Sequence, residues 1–548
     1  MAWERPCSVG LITIHEESDP VQLLSGFLAR ILVAVALTSA TLAFAQTPQV
    51  TIDAGKLSGS VSDGVAAFKG IPYAAPPLGA LRWRAPQPVK PWTGVRPSLQ
   101  AHDCLQNPFK DDMAPPIQPT SEDCLYLNVL TPAEKPAMPL PVLFWIHGGG
   151  SVIGGTTPQI YQGEAFVKNG VIFVGVAYRL GRLGYFAHPA LTAENADGLL
   201  GNYGYMDQIA ALKWVKRNIA AFGGDPNNIT IMGESHGGRS VHALLGTSLA
   251  KGLFNRAIIE SGFGRMYQPQ ITAAVGDGGP SAEEVGLKFA NTLGIGGTDK
   301  AALTKLRSKP AADIIGTVGY QLGRDGYTGP MIDGKLVPAD TPDIYLSGDN
   351  QRVPLLMGGN DEDTGTSPGS TEAEVYATFG PYAEQARRIY SSYAPKDIAE
   401  LKSLVGRDRQ VLEAARFVNR VFSSEGLPVY EFRFSYVAET LRSQWTGAHH
   451  ASEVPYVFNT LPAEYGADKV TEHDRQVGTT MIKYWTNFMK TGDPNGAGLP
   501  VWPKFDTKGD MLMNFTATGM PVAMPDPIKN RLDIVSESVS AVPTTPKR

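Results

Sequence analysis

The sequence predicts an α/β chain with a large, mostly parallel central sheet flanked by helices. Three observations carry that expectation. Short, almost wholly apolar runs recur along the chain, a segment of helical periodicity separates two of them, and glycine-rich polar turns follow three of them. A run that is apolar at every position suits a strand buried on both faces, which is the condition of a parallel sheet covered by helices.

The elements follow in order. Val142-Leu143-Phe144-Trp145-Ile146 is the first such run, Val171 to Val176 the second, Ile229-Thr230-Ile231-Met232 the third and Pro354-Leu355-Leu356-Met357 the fourth. Between the second and third, Ile209, Leu212, Val215 and Ile219 recur at three- and four-residue steps, with Asp207 near the expected start and Gly223-Gly224 after the end. Strand–helix–strand alternation of this kind implies right-handed crossovers.

The chain has 548 residues, 43% of them hydrophobic and 18% charged, with a formal net charge of −5. It carries no long basic block, which argues against nucleic acid as a partner. Arg30 precedes the apolar run Ile31 to Leu37, and Ala43-Phe44-Ala45 closes it. This pattern predicts a secretory signal over residues 1–45, cleaved after Ala45, and a single domain over 46–548 that is secreted or periplasmic. No stable membrane insertion is expected after cleavage. Glu16, Glu17 and Asp19 are unusual in a signal and point to a start codon placed too far upstream. Cys7 falls in this leader, so Cys104 and Cys124 are the two cysteines left, and export favours a disulfide. The absence of histidine pairs beside them argues against zinc.

In open α/β sheets, ligands bind outside the carboxyl ends of the strands. The first run ends in His147-Gly148-Gly149-Gly150, the third in Gly233-Glu234-Ser235-His236-Gly237, and the fourth in Gly358-Gly359-Asn360-Asp361-Glu362-Asp363. The third turn reads G-x-S-x-G between a strand and a helical segment, the context of a nucleophile elbow. A serine hydroxyl needs a base within hydrogen-bond reach, and the base needs a third group to fix its tautomer. Two adjacent histidines, His449 and His450, lie further along. The order glycine loop, serine, carboxylate, histidine is that of an α/β-hydrolase fold. Acyl transfer also places negative charge on a carbonyl oxygen, which backbone amides in a glycine loop could stabilise.

Glu122-Asp123-Cys124-Leu125-Tyr126-Leu127-Asn128-Val129 and Phe222-Gly223-Gly224-Asp225-Pro226, running on to Gly233-Glu234-Ser235, match signature stretches. Further matches are Phe68 to Ala74, Leu81-Arg82-Trp83, Tyr178-Arg179-Leu180-Gly181 and Lys490 to Asn495. On these motifs the chain resembles the type B carboxylesterase family from about residue 50 to residue 510. The resemblance implies a serine esterase acting on small-molecule esters through an acyl-enzyme, with no metal or organic cofactor. It implies Ser235 as nucleophile and His450 as base, with His449 the alternative. It implies Asp363 as the acid, with Glu362 the alternative; Asp361, read by itself, is expected to be a solvated turn residue. Gly149, Gly150 and His236 match the oxyanion donors, and Cys104 and Cys124 the first disulfide. Arg82–Glu122 and Arg179–Asp207 are the implied ion pairs, and Glu234 is expected to be buried behind the serine. Helices from the stretch between elbow and acid, and from about 366 to 445, are expected to build an apolar gorge.

Two residues depart from the family pattern. His236 and Arg239 stand where small residues are usual. The His236 imidazole must find room beside the acyl site, where it either packs or narrows the pocket. A specialised hydrolase directed at toxins, carbamates or polyesters, and a non-catalytic binding relative, are the alternative functions; the retained Ser, carboxylate and His speak against the latter.

Overall fold

The computed structural model of the chain describes residues 47–541 apart from 110–112, 118, 196, 274–278 and 318–325. The expected signal segment, 1–45, lies outside the described residues. The central sheet has eleven strands. In chain order these are β1 (Ser60–Ser62), β2 (Val65–Pro72), β3 (Tyr126–Pro132), β4 (Leu140–Ile146), β5 (Ile172–Val176), β6 (Gly224–Glu234), β7 (Arg256–Glu260), β8 (Leu355–Asn360), β9 (Val429–Phe434), β10 (Met511–Phe515) and β11 (Pro521–Pro525). Across the sheet they run β11-β10-β9-β8-β7-β6-β4-β5-β3-β2-β1. Every pairing from β5 to β10 is parallel, and the antiparallel strands lie at the two ends.

Burial on both faces explains the unbroken apolar runs. Along β4, Val142, Phe144 and Ile146 join one core cluster while Leu143 and Trp145 join the other. Side chains alternate across a strand, so an all-apolar strand feeds both cores. The first core is closed by α1 (Tyr203–Asn218), α2 (His236–Gly246) and α3 (Glu413–Ser424), through Leu212, Val241 and Val418 among others. The second is closed by α4 (Glu472–Thr491), through Met481, Trp485 and Phe488. A last helix, α5 (Lys529–Ala541), packs against α3.

Helix α1 begins at Tyr203, earlier than the position of Asp207 suggests. Asp207 is no start signal: it is fully buried inside the helix and takes both guanidinium arms of Arg179 at 2.7 Å. The second ion pair expected from the resemblance is also present, Arg82 to Glu122 at 2.6 and 2.7 Å. Cys104 and Cys124 form a disulfide.

The register of the parallel strands brings their carboxyl ends to one level. Ile146 of β4 faces Gly233 of β6, Glu234 faces Glu260 of β7, and Glu260 faces Gly358 of β8. The turns that follow these positions therefore emerge side by side.

Candidate active site

Ser235 occupies the sharp turn between β6 and α2, with φ 54° and ψ −119°. A left-handed backbone at a non-glycine residue costs on the order of 1–3 kcal/mol and needs a surrounding that enforces it. Here the enforcement is steric. A Cβ on Gly233 would lie 2.3 Å from the Gly237 carbonyl carbon, and a Cβ on Gly237 would lie 2.0 Å from the Ile146 oxygen. Only glycine lets the elbow fold this tightly against the end of β4. The Ser235 amide donates to the Glu260 carbonyl at 3.0 Å, fixing the turn to β7.

The turn after β8 holds the carboxylates. Asp363 is buried, and its Oδ1 lies 2.6 Å from His450 Nδ1. Its Oδ2 accepts from Ser261 Oγ at 2.6 Å and from the Asn360 amide at 2.9 Å, and Oδ1 also accepts from the Thr364 amide at 2.7 Å. Burial alone would raise the carboxyl's pKa. The charge and hydrogen bond of His450, with the other donors, outweigh it and hold the group below the ordinary carboxylate value. His450 Nε2 lies 2.9 Å from Ser235 Oγ. The imidazole thus bridges hydroxyl and carboxylate, one ring nitrogen to each.

The other two carboxylates of this turn do different things. Glu362 is paired with Arg407 at 2.5 Å and is part-exposed. Asp361 is not a solvated turn residue: its Oδ1 accepts from the Ala448 amide at 2.7 Å. With the Glu362 amide bonded to the Ala448 carbonyl at 3.0 Å and Asn360 Nδ2 to the His449 carbonyl at 2.6 Å, it fastens the histidine loop to the end of β8. His449 is exposed and stacks on Trp445, ring centroids 4.2 Å apart.

A group of buried carboxyls stands behind the histidine. Glu234 Oε1 lies 3.3 Å from His450 Nε2. Glu453 Oε2 accepts from Asn360 Nδ2 at 2.5 Å, and Glu260 Oε1 from Trp485 Nε1 at 2.6 Å. Burial first, and then mutual repulsion, pushes Glu234 up to about 8 and Glu453 up to about 7, and raises Glu260 as well. For His450, burial disfavours the charged ring, but Glu234 and Asp363 outweigh it and raise the pKa above its ordinary value.

Gly149 and Gly150 have φ of 97° and 60°. A Cβ on Gly149 would lie 2.1 Å from the Ile153 oxygen, and one on Gly148 would lie 3.2 Å from the Ser235 Cβ, so the loop sits directly against the serine. Among the described residues the Gly149 and Gly150 amides have no protein acceptor. The His236 amide opens α2, where first-turn N–H groups lack a helical partner. Its imidazole packs: it is buried, stacked parallel to Tyr205 at 6.1 Å, with Nε2 3.3 Å from the Tyr185 hydroxyl. Burial, with the nearby charge of Arg239, holds it neutral.

Ser235, His450, Glu234, His236 and the glycine loop line one cavity of about 530 Å³. Its walls come from Phe109, Met113 and Ala114, from the 148–154 loop, from Phe263, and from Tyr327, Thr328 and Gly329. The stretch 366–445 supplies none of the described wall; α3 packs on β8 and β9 instead. Ser261 is the residue the sequence reading misses. The signal for it is the pattern of the other sites, a strand (β7) ending in a glycine turn. Among the described residues no group of three or more His, Cys, Asp or Glu side chains is arranged to hold a metal ion, and no helix is long and apolar enough to cross a membrane.

Comparison with known proteins agrees with this architecture. The family model described as the carboxylesterase family matches residues 46–531. The chain is 33% identical to a fumonisin B1 esterase of Sphingopyxis macrogoltabida, over 82% of this chain and 84% of that protein. It is 33% identical to a human cocaine esterase (85% and 87%) and 31% identical to the para-nitrobenzyl esterase of Bacillus subtilis (86% and 95%). A solved structure of a PNB esterase superposes with a TM-score of 0.73 at 28% identity, covering 89% of this chain and all of that one. The chain belongs to the carboxylesterase family and is a carboxylic ester hydrolase.

Proposed function

We propose that the ester is cleaved through an acyl-enzyme on Ser235. His450 takes the serine proton as the hydroxyl attacks the carbonyl, then delivers it to the leaving alcohol. The same imidazole activates water for deacylation. Asp363 holds the ring by Nδ1 and stabilises the imidazolium. The amides of Gly149, Gly150 and His236 receive the oxyanion; one such donor is worth roughly 3 kcal/mol of barrier. The observation that carries this reading is the relay of 2.9 Å from Ser235 Oγ to His450 Nε2 and 2.6 Å from His450 Nδ1 to Asp363 Oδ1. Hydrolysis of para-nitrophenyl butyrate tests it. Turnover by the wild type that disappears in Ser235→Ala is the expected result, and equal turnover in both would refute it.

We take residues 1–45 as a secretory signal and 46–548 as one exported enzyme. The Cys104–Cys124 bridge supports an oxidising compartment. Amino-terminal sequencing of the mature protein should begin at Gln46, and an intact leader on the active protein would contradict export by this route.

A further inference from the structure

We infer that Arg239 anchors a carboxylate on the substrate, so that this enzyme takes esters bearing a negative charge a few bonds from the scissile carbonyl. This deepens the serine-esterase reading and rests on it. Arg239 sits one helical turn beyond the nucleophile: its amide donates to the Ser235 carbonyl at 3.0 Å. At 1.5 Å of rise per residue the two lie about 6 Å apart along α2. Both residues line the same cavity.

What sets Arg239 apart is its surroundings. Several deeply placed arginines face carboxylates: Arg179 faces Asp207 at 2.7 Å, Arg265 faces Glu413 at 2.7 Å, Arg433 faces Asp526 at 3.1 Å and Arg531 faces Asp408 at 2.9 Å. Arg182 has no carboxylate either, but it donates to the Ile315 carbonyl at 3.1 Å, lies over the Phe289 ring and is not in the cavity wall. Among the described residues, no carboxylate lies within 4.0 Å of Arg239. Its Nε donates to the Met266 sulfur at 2.7 Å, and the Tyr327 hydroxyl beside it donates to the Pro330 carbonyl at 2.6 Å. Glu234, the carboxylate in the cavity wall, is engaged with His450 at 3.3 Å. The neighbouring imidazoles of His236 and His242 are kept neutral by burial and then by the Arg239 charge itself. The cavity therefore presents a guanidinium whose charge the protein does not compensate. A guanidinium is a planar fork of five N–H donors that matches a carboxylate. A carboxylate held there leaves the ester group within reach of Ser235.

The test compares charged and neutral esters of similar shape. Monomethyl glutarate against methyl hexanoate places the charge on the acyl side, and 3-acetoxypropanoate against butyl acetate places it on the alcohol side. The expected result is a wild-type kcat/KM favouring the charged ester in one pair. That ratio should fall about 10- to 100-fold in Arg239→Gln and be partly kept in Arg239→Lys. Equal ratios in wild type and Arg239→Gln for both pairs would overturn the inference. Turnover of any of the four esters, charged or neutral, and its loss in Ser235→Ala test the esterase reading separately. Were none of them cleaved, that reading would fail, while calorimetric binding of glutarate to wild type and its loss in Arg239→Gln would still decide the carboxylate site.

Discussion

Glu234 Oε1 and Ser235 Oγ approach the same atom, His450 Nε2, at 3.3 and 2.9 Å. Once ionised, above its own raised value of about 8, the Glu234 carboxylate stabilises the charged ring and so works against His450 as a base. Its presence raises the pH at which the imidazole loses its proton. Glu234→Gln removes that charge. The rising limb of kcat/KM against pH should then move to lower pH, and an unmoved or upward-shifted limb would show that the pair does not interact in the free enzyme.

Asp363 and Glu362 are neighbours with different partners. Asp363→Asn would present the His450 ring with an amide in place of a carboxylate, and a loss in kcat on the order of 10⁴ is expected. Glu362→Gln weakens a pair with the buried Arg407 and leaves the contacts of Asp363 with His450 in place, so its kcat should change little. Steady-state kinetics of both variants check this; a reversed ranking would move the acid to Glu362.

Gly149 tests the amide cradle. In Gly149→Ala the new Cβ would meet the Ile153 oxygen at 2.1 Å on a backbone with φ 97°. The loop must shift, and an oxyanion donor shifts with it. A fall in kcat of roughly 10²–10³ with a smaller change in KM is expected. A variant that changes KM alone would assign Gly149 to substrate binding.

The buried carboxyls make a prediction for stability. The raised pKa values of Glu260, Glu453 and Glu234 mean that the folded chain binds more protons than the unfolded one above the ordinary glutamate value of 4.5. Stability contributed by their protonated forms is complete below 4.5 and is lost as pH rises through their folded values, about 7 for Glu453 and about 8 for Glu234. Each such group costs about 1.4 kcal/mol per pH unit within its window. Glu260→Gln keeps an acceptor for Trp485 and removes one of these groups. Urea unfolding at pH 5 and pH 8 should show a smaller loss for the variant than for wild type, and an equal loss would contradict the assignment.

The parallel centre of the sheet is legible in the sequence where strands are apolar throughout, as in β4, β5 and β6. It is not legible in β7 or β9, because charged residues that the fold buries interrupt the pattern. Glu431 of β9 is held by Asn419 at 3.0 Å, and Arg433 by Asp526 at 3.1 Å. These partners sit in other elements, Asn419 in the preceding helix α3 and Asp526 far along the chain, and leave no mark in the strand's own pattern. The same limit applies near the site. The convergence of Ser235, Asp363 and His450 follows from strand-end topology together with the family motifs. The fastening role of Asp361 depends on a loop that starts almost ninety residues later (Ala448), and Asp207 reads as a helix start until its partner Arg179 is placed. The cavity walls are legible least of all. They are irregular loops, which carry no periodicity, and the regular helices near 413–424 cover the sheet instead.

The central claim is a nucleophilic hydroxyl at Ser235 activated by His450. Intact-protein mass spectrometry after exposure to a reactive organophosphate, with peptide mapping, tests it most directly. The expected result is one adduct, on Ser235, formed in step with loss of esterase activity and absent from His450→Ala. An active enzyme that loses activity with Ser235 unmodified, or a Ser235 that stays unmodified while activity persists, would contradict it.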